Sequence, residues 1–86
     1  MTSPVPRTVA LGGVYRHYKG DHYVVLFIGK DSNNDRNGEP TVVYMSMDEP
    51  CRGAVRVRQL DEFLEQVSVD GRRVNRFEFL YLAKRM

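Results

Sequence analysis

The chain has no tryptophan, one cysteine, four prolines and two histidines among its 86 residues. A single thiol, Cys51, excludes an intramolecular disulfide, so the fold does not depend on oxidation. Two histidines, His17 and His22, with one cysteine make no pair at zinc-type spacing, so no structural metal is called for. No run approaches the ~20 apolar residues of a membrane helix. The N-terminus holds only Val9-Ala10-Leu11 as an apolar stretch, too short for a signal peptide. A cytoplasmic protein with no membrane contact is the expectation.

Charge of one sign is also scarce. The net charge is +2, too weak to argue for nucleic acid by itself. Its distribution says more: residues 1 to 51 carry five Lys+Arg against six Asp+Glu, and residues 52 to 86 carry eight against five. The basic excess is mostly arginine (Arg52, Arg56, Arg58, Arg72, Arg73, Arg76), suited to forked hydrogen bonding with carboxylate or phosphate. A solvated basic face accounts for the same pattern.

What is present is β-prone sequence sufficient for one domain, with a core burying ~60% of the surface the unfolded chain exposes. Residues 1–11, with Pro4 and Pro6 and no periodicity, read as a flexible leader, and residues 12–86 as the domain. Val14 to Tyr18 and His22 to Ile28 flank the turn Lys19-Gly20-Asp21 and predict a hairpin. The second of these runs is apolar on both alternating faces, which places it centrally, covered on both sides or closed in a barrel. Thr41 to Met47 and Ala54 to Arg58 are further strands, and Arg76 to Leu82 is the last. Between these, Leu60, Phe63, Leu64 and Val67 fall at i, i+3, i+4 and i+7, predicting two helical turns ended by Asp70-Gly71. The expected fold is mainly β: a small barrel of about five strands with one short helix before the last strand.

The string Gly13-Val14-Tyr15-Arg16-His17-Tyr18-Lys19-Gly20, followed by Val42-Val43-Tyr44, Val57-Arg58, Phe63, Val67 and Arg76-Phe77, resembles the bacterial family known as domain of unknown function 1653. The resemblance implies a compact SH3-like barrel and no established activity. The chain departs from it at Arg56, where the family commonly has Trp, and at Gln59, where it commonly has Pro.

The candidate site is Tyr15, His17, Tyr18 and Lys19, with Tyr44, Arg58 and Arg76. Strand alternation puts Tyr15, His17 and Lys19 on one side, a row of phenol, imidazole and ammonium fit to hold an anionic or aromatic group. The same tyrosines equally suit a barrel wall, rings packed and hydroxyls exposed, and Arg58 and Arg76 suit pairing with Asp61, Glu62 or Glu78. Asp31, Asn33, Asp35 and Asn37 alternate as in a calcium loop, but Arg36 and Val42 stand where an EF-hand needs Gly and Glu. A hairpin loop turning at Asn37-Gly38 is the ordinary reading. Ser3, Ser32, Ser46 and Ser68 lie in no nucleophile-elbow context, and Cys51 has Arg52 beside it but no dedicated histidine. The expectation is a non-catalytic protein- or peptide-binding module needing no cofactor. The alternative is a nucleic-acid-binding module whose arginines meet phosphates while tyrosines stack on bases.

Overall fold

A computed structural model describes residues 8–30 and 39–83. Among these residues the fold is mainly β, with seven strands and one short helix. These are β1 (Gly13–His17), β2 (His22–Lys30), β3 (Pro40–Ser46), β4 (Val55–Gln59), α1 (Leu60–Phe63), β5 (Gln66–Val69), β6 (Arg72–Asn75) and β7 (Phe77–Leu82). Five strands form one antiparallel sheet in the order β4-β3-β2-β1-β7, and β5 and β6 pair as a separate hairpin. The last strand thus returns beside the first. No pairing joins β4 to β7 among the described residues, so the sheet is not closed into the expected barrel. Among them, too, no helix is long and apolar enough to cross a membrane.

The β1–β2 hairpin forms as its residues predict. Gly20 takes φ +113, and its N–H donates to the His17 carbonyl at 2.7 Å while the His17 N–H donates to Asp21. Gly13 is needed for close approach, because a Cβ there would lie 2.8 Å from the Ala10 carbonyl oxygen. The sheet bends at two irregularities, one between Val14 and Tyr15 against β7, the other between Val25 and Phe27 against β3.

The helix is the main correction. It spans one turn rather than two, and Val67 lies in β5, paired with Val74. Leu60, Phe63 and Leu64 do present one face to the core, so the periodicity is real over those residues. It fails afterwards because Gln66-Val67-Ser68-Val69 alternates with period two and meets Arg72 across Asp70-Gly71. Asp70 and Gly71 both take positive φ (51 and 79), the geometry of a two-residue hairpin turn. The Asp-Gly pair therefore reverses a strand instead of ending a helix.

The core lies on one face of the sheet under α1. Val9, Tyr15, Val25, Val42, Tyr44, Phe63 and Phe77 are buried together, with Tyr23, Leu60 and Leu64 packed against them. Val9 belongs to this cluster although it falls within the residues read as leader. Residues 1–7 of that leader lie outside the described residues, as does the Asp31–Asn37 alternation.

Candidate functional site

Phe77, at the start of β7, is the floor of the site. Its ring stacks on Phe63 of α1, with centroids 4.0 Å apart and planes within 2°. His17, Tyr23 and Tyr44 stand edge-on to it at 5.0, 5.7 and 5.5 Å. The Arg58 guanidinium lies 5.8 Å from the same ring, close enough for cation–π attraction. Strand pairing brings these groups together: His17 is opposite Phe77 across β1–β7, and Val42, beside Tyr44 on β3, is opposite Arg58 across β3–β4.

The polar atoms are held in defined roles. Arg58 Nε donates to the Tyr44 hydroxyl oxygen at 3.2 Å, which orients the guanidinium at the rim. His17 Nδ1 accepts from the Lys19 backbone N–H at 3.1 Å, so in the neutral ring the proton sits on Nε2. Burial holds the His17 imidazole below its ordinary pKa, and the charges of Arg58, Lys19 and Arg76 push it the same way against Asp21. Burial also raises the Tyr23 phenol, with Arg56 opposing. The patch is therefore aromatic and electropositive, with a neutral imidazole among cations. It suits a carboxylate or another anionic group lying on apolar rings.

Of the sequence candidates, His17, Tyr44 and Arg58 meet around Phe77. Tyr15 turns elsewhere. It is buried, as Tyr44 is, but its hydroxyl accepts from the Ala10 N–H at 3.0 Å and its ring packs edge-on to Phe63 and Phe79. Tyr18 is exposed with its ring 4.5 Å from His17, and Lys19 Nζ lies 5.9 Å from the Tyr18 ring. Arg76 binds Glu65 at 2.8 Å and contributes its field to His17. Its Nε is buried and has no hydrogen-bond partner among the described residues. The expected pairing of Arg58 and Arg76 with Asp61, Glu62 or Glu78 is not what the described contacts hold: Glu78 meets Arg16 at 3.7 Å instead.

Sequence reasoning missed Tyr23 and Phe77. Tyr23 was legible only through the hairpin register, which sets it opposite Tyr15 and thus on the core face. Phe77 also lines a groove of about 440 Å³ with Tyr15, Leu64, Phe79 and Val9, next to the aromatic patch.

Other reactive groups sit apart. His22 donates its backbone N–H to Asp48 Oδ2 at 2.8 Å and places Nδ1 3.0 Å from the same oxygen. These contacts hold the Asp48 carboxyl below its usual range. Cys51 is exposed. Among the described residues no three His, Cys, Asp or Glu side chains are grouped to hold a metal ion.

A family model described as a protein of unknown function, DUF1653, matches residues 13–79. The chain is also similar to the crystal structure of a protein of that family from Bordetella bronchiseptica. Identity is 31%, covering 87% of this chain and 92% of that one, with a TM-score of 0.70. No curated protein matches the chain.

Proposed function

Because the chain belongs to the DUF1653 family, whose function is unknown, we propose from its own geometry that it is a non-catalytic peptide-binding module of the bacterial cytoplasm. The observation that supports this is the convergence of Arg58, His17 and Tyr44 on the Phe77 ring, beside an apolar groove that shares Phe77. An acidic, extended peptide fits both parts. Its carboxylate would bridge the Arg58 guanidinium and the His17 Nε2–H, and a neighbouring apolar side chain would enter the groove. The strand order, with β7 returning beside β1 and a short helix after β4, is in keeping with an SH3-like barrel whose last closure is left unpaired.

Nucleic acid is the second reading, favoured by Arg56 beside the half-buried Tyr23 and Arg58 over the Phe77 ring. Amide shift mapping with an acidic octapeptide library and, separately, single-stranded oligonucleotides tests both. Peptide binding should move the resonances of His17, Tyr23, Arg58 and Phe77, and Arg58→Ala should weaken it about tenfold. Oligonucleotide binding that collapses with added salt would favour the second reading. If neither ligand moves these resonances at low salt, the site is a packed wall and the proposal fails.

A further inference from the structure

The edge strand β4 is oriented against the usual rule. It reads Val55-Arg56-Val57-Arg58, and a buried face normally captures the valines. Here the register does the opposite. Arg56 is opposite Tyr44 and Arg58 opposite Val42, so the arginines share the face of the core. Val55 and Val57 are turned to the other face, where they are 58% and 65% exposed. Sliding β4 by one residue would reverse this, and the protein does not adopt that register.

The valines are not alone there. Phe27, Val43 and Val57 form one cross-strand row, and Tyr81, Val14, Val24, Met45 and Val55 form the next. Neither row contains a charged or polar side chain except the Tyr81 hydroxyl. Phe27 is 65% exposed and Tyr81 54%, whereas Val14 is buried at 1% and Val24, Val43 and Met45 are half-buried, so the open area comes from Phe27, Val55, Val57 and Tyr81. This is the side on which β2, apolar in both phases, predicts a cover. Polar residues rim the rows: Arg16, His22 and Glu78 continue one end and Gln59 the other. A rimmed apolar patch on a sheet face is the signature of an interaction surface.

We infer that this face is a dimer interface, with the occupant a second copy of the same chain packed sheet on sheet. The area supports a copy. The exposed fractions correspond to on the order of 500 Å² of apolar surface per chain, hence on the order of 1,000 Å² for a pair, at the threshold of a specific interface. The patch suits an isologous contact because two uncharged apolar rows meet without like charges opposed. Aligned packing of two such sheets would interdigitate the Val55, Val57 and Phe27 side chains in one layer. This inference does not depend on the peptide reading, whose residues lie on the opposite face.

Sedimentation equilibrium of the full chain from about 1 μM to about 1 mM tests it. The expected result is a monomer–dimer equilibrium with a micromolar Kd, weakened about 100-fold by Val57→Lys. Because Val57 and Phe27 are exposed in the monomer, Val57→Lys and Phe27→Lys should keep the wild-type circular dichroism and dilute-solution Tm. If Val57→Lys fails to fold, isotope-filtered NOEs between Val55 or Val57 methyls of separate wild-type copies take its place. A monomer up to about 1 mM overturns the inference, as does a dimer that both lysine variants leave intact or one lacking those NOEs. A monomer whose face is covered by an unrelated protein overturns it too.

Discussion

Replacing Phe63 by alanine should leave the domain only marginally stable, and should do so by removing the support of the site. Phe63 is 0% exposed, stacks on Phe77 at 4.0 Å and meets Tyr15 and Tyr44 edge-on at 5.2 and 5.4 Å. Truncating a buried Phe to Ala costs about 3–5 kcal/mol, and three ring contacts place this one toward the upper half. A domain this small has stability on the order of 5 kcal/mol, so ~1 kcal/mol remains and roughly one molecule in six is unfolded at 25 °C. At about 4–8 °C per kcal/mol, Tm should fall by ~15–30 °C. Urea denaturation followed by far-ultraviolet circular dichroism reads the free energy, and calorimetry reads Tm. Phe27→Ala, measured in dilute solution, is the control: with its ring exposed, it should change stability by less than ~0.5 kcal/mol. A loss below ~1 kcal/mol for Phe63→Ala would mean that the stacked ring pair does not carry the core.

Two further predictions concern protons. The His17 imidazole should titrate below its ordinary 6.5, and Arg58→Ala should move it back upward, both followed by ring-proton shifts. Because the unfolded chain takes up that proton first, the contribution of His17 to stability is present above pH 6.5. It is lost as pH falls from there through the lower folded value, and a profile with the opposite slope would contradict the burial argument. Asp48 should titrate below 3.8, and His22→Ala should raise it; its contribution is likewise lost only as pH falls below 3.8, and an unshifted carboxyl carbon titration in the variant would refute the role of His22.

The strands of the main sheet were legible because their residues alternate or run apolar between strong turn signals. Gly20 in the first hairpin is the clearest case. The β5–β6 hairpin was hidden because Leu60, Phe63, Leu64 and Val67 satisfy a helical period by chance of spacing. A four-residue period cannot separate one helical turn followed by a strand from two helical turns. Site residues were legible by chemistry and not by depth. His17, Tyr44 and Arg58 carry groups that announce themselves, while Tyr15 has the same chemistry but turns its ring to Phe63 and Phe79 and its hydroxyl to Ala10. Which rings a tyrosine meets depends on register, and the extra residue at Leu26 in β2 shifts that register in a way no pairwise pattern encodes. The family resemblance pointed to the right family, and its Arg56 departure falls on the rim beside Tyr23.

The hairpin of β5 and β6 leaves the chain at Glu65 and comes back at Arg76, where the Arg76 N–H donates to the Glu65 carbonyl and the two side chains meet at 2.8 Å. Residues 66 to 75 thus form a stalk clasped at its neck, whose strands pair only with each other among the described residues. Lengthening a clasped excursion changes only its closure entropy, about 0.6 kcal/mol for each doubling of length. Residues inserted at its tip would therefore lengthen the stalk while keeping the sheet intact. Its Asp70-Gly71 tip is the natural place to splice in a fluorophore, an epitope or a whole second domain.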